Sequence, residues 1–270
     1  MELKQINDPG ELVHHLNSLG NHFLYRGQSN ATWVLSPSLE RLVKPTRDGT
    51  LAKKFEDHYI RVFQSKFHLY DTENQQPSTK LAWLAMMQHY GVPTRLLDFS
   101  ESPYVALYFA LEGFNPRQQD DLALFAVDYS EFNKRSLFQL KKLKIPIPAS
   151  LSDFELQKDQ IFEKYLDVAD YPLVWMTEPQ QLNKRLDLQK GSFVFSTDVT
   201  ATLEDVLMSS VYSGCRTIKF SISKALHTNI FALLRKMNLD SRVLYGDLHG
   251  LGRSIQMEMI AYSQKAAESP

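Results

Sequence analysis

Side chains able to do chemistry crowd into one short run, QHYGVPTRLLDFSES, residues 88 to 102. Within it stand Gln88, His89, Tyr90, Thr94, Arg95, Asp98, Ser100, Glu101 and Ser102. A loop of that composition between two apolar helices is the usual setting of a binding or catalytic site. A second such spot is FLYRGQ, residues 23 to 28, where Arg26 and Gly27 follow three apolar or aromatic residues. A planar guanidinium grips a phosphate through two parallel hydrogen bonds, and a glycine lets a backbone or a ligand come close. Arg26 therefore has two readings. It pairs with Asp98 or Asp247 and pins strand to loop, or it holds an anionic ligand.

The elements that must position these groups follow from periodicity and caps. NDPGELVHHLNSLG predicts a short helix, with Asp8 as N-cap, Pro9 at the first position, Glu11 in the first turn and Gly20 as the stop. It leads into a FLYRGQ strand. Phe55, Tyr59, Val62, Phe63, Phe67 and Tyr70 fall at three- and four-residue steps, the mark of an amphipathic helix over 51 to 70. STKLAWLAMMQHYG is a helix stopped by Gly91 and Pro93, and PYVALYFALEGF is another, capped by Ser102 with Pro103 at its start. Further strands are expected in DLALFAVDY, PLVWM, GSFVFS and TIKFSIS, and further helices around 153 to 166, in KALHTNIFALLRKM and after YGDLHG. Strands and helices alternate without a βαβ rhythm, which predicts an α+β fold in one domain.

Composition bounds the function classes. The chain of 270 residues is 43% apolar, enough for a substantial core. Thirty basic against 31 acidic residues leave no overall field toward nucleic acid or anionic membrane, and do not separate protein from nucleic-acid acceptors. One cysteine, Cys215, excludes an internal disulfide and suits a reducing compartment, so the cytoplasm is the expected location. There is no apolar run long enough to span a bilayer and no signal-peptide layout. The eight histidines show no metal spacing, and no metal is expected. No glycine-rich phosphate loop appears.

Tyr25-Arg26-Gly27-Gln28 together with QHYGVPTRLLD closely resembles the signatures of the FRG domain, a family named for its aromatic-Arg-Gly motif. WVLSPSLER (33 to 41), QKGSF (189 to 193) and LYGDLHGL (244 to 251) extend the resemblance, so that one domain over 1–270 with a motif-bearing core of about 20 to 255 is expected. A looser likeness is to ADP-ribosyltransferases of the arginine-serine-glutamate type. They carry an aromatic-Arg-Gly strand, then a Ser-Thr-Ser element before a helix, then a strand with a catalytic glutamate. Tyr25-Arg26-Gly27 and Ser100-Glu101-Ser102 followed by PYVALYFA repeat that order, and the implied sheet is mixed, with helices around it.

This second likeness implies NAD as cofactor and a protein or nucleic-acid acceptor, in an enzyme that modifies a macromolecule or hydrolyses NAD, with a toxin or antiviral effector as the implied role. The implied cofactor site is Tyr25, Arg26, Gly27, Gln28, Tyr90, Thr94, Arg95, Asp98, Ser100, Ser102 and Gln189, with Gly27 admitting the nicotinamide amide and Ser100 bracing the ribose. Arg26, His89 and Glu258 are the implied catalytic set. The third motif departs from the pattern, because Gln189-Lys190-Gly191 has glycine where Gln-x-Glu needs an acid. A literal Gln-x-Glu occurs at Gln256-Met257-Glu258, and Asp247, Asp98 and Glu101 are rival carboxylates. Two alternatives stand beside this reading: a catalytically silent nucleotide-binding module that lacks the glutamate, and a metal-independent nuclease or hydrolase built on His89, Asp98 and Arg95.

Overall fold

Seven strands form one mixed sheet in the order β1-β7-β4-β2-β3-β6-β5. They are β1 Glu2–Ile6, β2 Phe23–Gln28, β3 Leu97–Ser100, β4 Leu122–Asp128, β5 Val174–Thr177, β6 Gly191–Ser196 and β7 Thr217–Ile222. The computed structural model describes residues 1–46, 48–71, 76–148, 156–169, 171–180 and 184–268. All pairings are antiparallel except β1 with β7. The helices are α1 Pro9–Ser18, α2 Ser38–Val43, α3 Gly49–Phe67, α4 Lys80–His89, α5 Pro103–Glu112 and α6 Tyr129–Lys142. They continue with α7 Lys158–Ile161, α8 Lys184–Leu188, α9 Leu203–Leu207, α10 His227–Lys236, α11 Ser241–Tyr245 and α12 Leu248–Glu268. The fold is α+β, as the sequence predicts.

Caps fix several of these elements as expected. Asp8 accepts from the Glu11 amide at the head of α1, and Ser102 accepts from the Val105 amide at the head of α5. Gly91 ends α4 at φ 81°, the left-handed region that disfavours a side chain. The differences are local. α1 ends at Ser18, two residues before Gly20, with Leu19 as the cap in an extended conformation. α12 opens at Leu248, inside the YGDLHG segment rather than after it. The expected 153 to 166 helix is described as α7 running into one π-type stretch, Phe162–Leu166, while its first residues lie outside those described. β1, β3, α6 and the short helices α2, α8, α9 and α11 complete the fold without having been anticipated.

How β2 meets β3 decides the shape of the molecule. They share a single pair, Tyr25 with Ser100, whereas β2 pairs with β4 along all six residues. The sheet is thus split along one seam into β1-β7-β4-β2 and β3-β6-β5. On one face the two halves are covered by separate cores. α1, α5, α10 and α11 pack through Leu12, Leu107, Ile230 and Leu244 against Tyr25, Leu124 and Phe220. α3 and α4 pack through Ile60, Leu84 and Met87 against Phe193 and Phe195. On the other face a single core runs across the seam, joining Leu24 and Phe125 to Phe99 and Val194. Burial of that apolar surface holds the halves together from behind, and a gap is left in front. No helix among the described residues is long and apolar enough to cross a membrane.

Candidate functional site

The gap is a cleft of about 310 Å³. β2 supplies Tyr25, Arg26 and Gly27, β3 supplies Asp98 to Ser100, and β6 supplies Gly191 and Phe193. α4 contributes Gln88 and His89, α5 contributes Phe109 and Glu112, and Arg185, Gln189 and Tyr245 close the rim. The run 88 to 102 and the strand 23 to 28 therefore do meet in one place.

Arg26 stands at the seam. Its Nη1 donates to the Asp98 carbonyl oxygen at 2.5 Å, bridging β2 to β3 where their ladder has lapsed. Burial pushes its pKa down from the ordinary arginine value, the Asp98 charge works the other way, and Arg41 adds repulsion. Nε is buried without a hydrogen-bond partner. No carboxylate lies within ion-pair distance of this guanidinium among the described residues, so neither Asp98 nor Asp247 neutralises it. Arg26 is a brace, through a backbone carbonyl, and at the same time a part-buried cation that forms no ion pair among the described residues and is offset only in part by the charge of Asp98.

A relay of side chains sets the β3 wall. Thr94 donates its hydroxyl to Gln88 Oε1, which leaves Gln88 Nε2 to donate to Asp98 Oδ1 at 2.7 Å. Ser100 donates to the Gln189 carbonyl at 2.8 Å and accepts from the Ser102 amide at 3.0 Å. Gln189 Nε2 donates to the Leu244 carbonyl at 3.2 Å. His89 is pushed below the usual imidazole range by burial first and by the charge of Arg185 next, against a smaller opposing pull from Asp247. The shift favours the uncharged ring.

Several expected site residues do other work. Arg95 is buried away from the cleft in an ion network, with Nε donating to Glu56 at 2.7 Å and Nη2 to Asp167 at 2.9 Å as well as to Glu56. Lys80 joins the same cluster, 2.6 Å from Asp167. Burial pulls the Arg95 pKa down, but Glu56 and Asp167 outweigh it and hold the guanidinium charged. Arg95 is thus a core clamp rather than a cofactor ligand. Thr94 is fully buried and acts only through Gln88, and Ser102 caps α5. Gln28 ties to the Val34 carbonyl at 3.2 Å, off the cleft. Tyr90 is 66% exposed and rests edge-on against His89 outside the cleft.

Gly27 lines the cleft, yet its missing side chain serves packing. A Cβ there would sit 1.9 Å from the Ala106 carbonyl oxygen and 2.7 Å from the Ala110 amide nitrogen. The close approach that the sequence demands is made by the backbone of α5, not by a ligand. Glu258 is also removed from the expected set, because it lies on α12, 3.4 Å from Arg235, and does not line the cleft. Asp247 caps the start of α12 by accepting from the Gly250 amide, and Glu101 is exposed.

The strand expected to carry the glutamate is β6, and it lies beside β3 with Gly191 opposite Ser100. No acid stands there; a Cβ at 191 would come 2.2 Å from Leu186 Cδ1, the end of a side chain that would have to turn aside, and 3.2 Å from the Leu186 carbonyl oxygen. The cleft holds instead a carboxylate that the motifs do not flag. Glu112 closes α5 and accepts from Tyr108 Oη at 3.0 Å and from Tyr245 Oη at 2.8 Å. Arg185 lies 4.6 Å over the ring of Tyr245. The one sequence signal was the Tyr108–Glu112 spacing of four in an otherwise apolar helix. No group of three or more metal-ligating side chains occurs among the described residues.

The fold and the cleft define an α+β protein with a split sheet and a guanidinium bridging the split. Residues 21–120 match the family model of the FRG domain, so the chain carries an FRG domain from just before β2 to just before β4. No curated protein and no solved structure matches the chain.

Proposed function

We propose that the cleft binds NAD and that the protein acts as an ADP-ribosyltransferase-like enzyme, transferring ADP-ribose to a macromolecule or to water. The observation that carries this reading is Arg26, a part-buried guanidinium that lines the cleft, leaves its buried Nε without a hydrogen-bond partner and makes no ion pair among the described residues. Such a charge is costly to bury unless something anionic offsets it, and a pyrophosphate fits its planar donors. In support, the strands bearing Tyr25-Arg26-Gly27, Ser100 and Gly191 are neighbours in the order β2-β3-β6, the order of the three motifs in enzymes of the arginine-serine-glutamate type. A volume of about 310 Å³ suits the nicotinamide-ribose end of the dinucleotide, with the rest lying toward the mouth.

Thermal unfolding with NAD tests this. At 100 times Kd, binding stabilises by about 2.7 kcal/mol, which for a chain of this size raises Tm by roughly 5–10 °C. Arg26→Ala, still folded by circular dichroism, loses that rise. An unchanged rise in the variant refutes the assignment of Arg26 to the ligand. A second reading, a binding module without turnover, is favoured by Gly191 and the leucine packed against it. It gives the same thermal shift with no release of nicotinamide.

A further inference from the structure

Four charged side chains line the cleft, Arg26, Arg185, Asp98 and Glu112, and none of them makes an ion pair among the described residues. Asp98 accepts from Gln88 and lies near enough to Arg26 for its charge to be felt there. Glu112 has its two carboxylate oxygens held by phenol hydroxyls rather than by a cation. Both phenols are pushed above the usual tyrosine range, by burial first and by the charge of Glu112 next. They stay protonated, can only donate to Glu112, and hold it in one orientation as an acceptor. Tyr108 is fixed in turn by Ser241, and Tyr245 by the guanidinium of Arg185 over its ring. Such support is more than helix–helix packing needs, because apolar residues of similar volume would bury α5 against α11 without desolvating a carboxylate.

A cleft lined by guanidinium groups and carboxylates that form no ion pair with one another matches a ligand that carries both signs. NAD does: its pyrophosphate is anionic and its nicotinamide ring is cationic. We infer that Glu112 is the catalytic carboxylate of this cleft, facing the ribosyl carbon that bears nicotinamide and taking the place of the acid absent at position 191. This rests on the reading of the cleft as an NAD site.

The step balances without a metal or a redox partner. The C1′–N bond breaks with both electrons passing to the ring nitrogen, which becomes neutral nicotinamide. The cationic ribosyl centre left behind is stabilised by the Glu112 carboxylate at close range, held in place by the two phenols. A hydroxyl of water or of the acceptor then forms the new bond at C1′. Its proton leaves through Glu112 to solvent, so one proton is released per turnover.

The experiment uses the full chain and Glu112→Gln, with NAD affinity by calorimetry and nicotinamide release followed separately. The expected result is a fall of about 100-fold or more in release, with affinity within about threefold of wild type and an unchanged Tm. A role confined to packing would move Tm and affinity instead. If the glutamine variant does not fold, Tyr245→Phe frees one Glu112 oxygen and is expected to slow release about tenfold at unchanged affinity. Wild-type rates of release in Glu112→Gln overturn the assignment while leaving the NAD site standing. NAD binding to the wild type without any release also overturns it, and leaves the silent module. No binding of NAD to the wild type removes the NAD reading and the role of Glu112 together.

Discussion

Gly27→Ala isolates the reason for the Arg-Gly pair. The added methyl would start 1.9 Å from the Ala106 carbonyl oxygen, against the 3.4 Å of ordinary contact, so strand and helix must part by 3.4 − 1.9 = 1.5 Å. The neighbouring Ala110 amide nitrogen at 2.7 Å and Ala106 carbonyl carbon at 2.9 Å block any sideways escape, and all three are backbone atoms that no rotamer change can clear. Lifting α5 loosens Leu107, Ala110 and Leu111, which are all fully or almost fully buried. A gap of even 0.5–1 Å forfeits a quarter to a half of each contact's attraction. Overpacking of this kind costs typically 1–3 kcal/mol, and the rigid obstacle puts this case at the upper end, about 3 kcal/mol. Urea unfolding is expected to show that loss at unchanged slope, and thermal unfolding a drop of roughly 6–12 °C. A variant within about 0.5 kcal/mol of wild type that no longer responds to NAD would refute the packing account and return Gly27 to the ligand.

Two further outcomes concern the buried ion network. Arg95→Met leaves Glu56 and Asp167 buried with only Lys80 and Lys53 to oppose them, and is expected to cost about 3–5 kcal/mol in urea unfolding while the NAD affinity of the folded fraction persists. A loss of affinity at undiminished stability would put Arg95 back in the site. Asp167 is subject to burial, which raises its pKa, but Arg95, Lys80 and Lys53 outweigh that and hold it below the usual carboxylate value. A depressed folded-state pKa gives stability that is present above the unfolded value, near 4, and is lost as pH falls through the folded one. Melting temperature is accordingly expected to fall more steeply below pH 4 in wild type than in Asp167→Asn, and parallel curves would contradict the network.

What could be read from the chain was whatever is written locally. Asp8, Ser102, Pro103 and Gly91 mark helix ends through contacts within three or four residues, so α1, α4 and α5 were legible from caps alone. β3 was not, because four residues with a carboxylate among them give no period to detect, and its partners lie some seventy and ninety positions away in Tyr25 and Gly191. α6 was hidden for another reason: its N-cap, Asp128, is also the last residue of β4. In the site, residue type pointed to the right loop but could not tell which way a side chain turns. Asp98 and Arg95 are three apart, yet one lines the cleft and the other meets Glu56 of α3, 39 positions upstream. Glu112, Arg185 and Tyr245 were missed because they converge only when α5, α8 and α11 are packed.

The single Tyr25–Ser100 pair has one more consequence. In a continuous ladder the remaining amides and carbonyls along that border of β2 and β3 would be sealed against each other. Here they border an opening, and the guanidinium of Arg26 is the crosspiece that spans it. An anion drawing that guanidinium toward itself competes with the Asp98 carbonyl for the same donor, so the join between the two half-sheets slackens as the cleft fills and tightens as it empties.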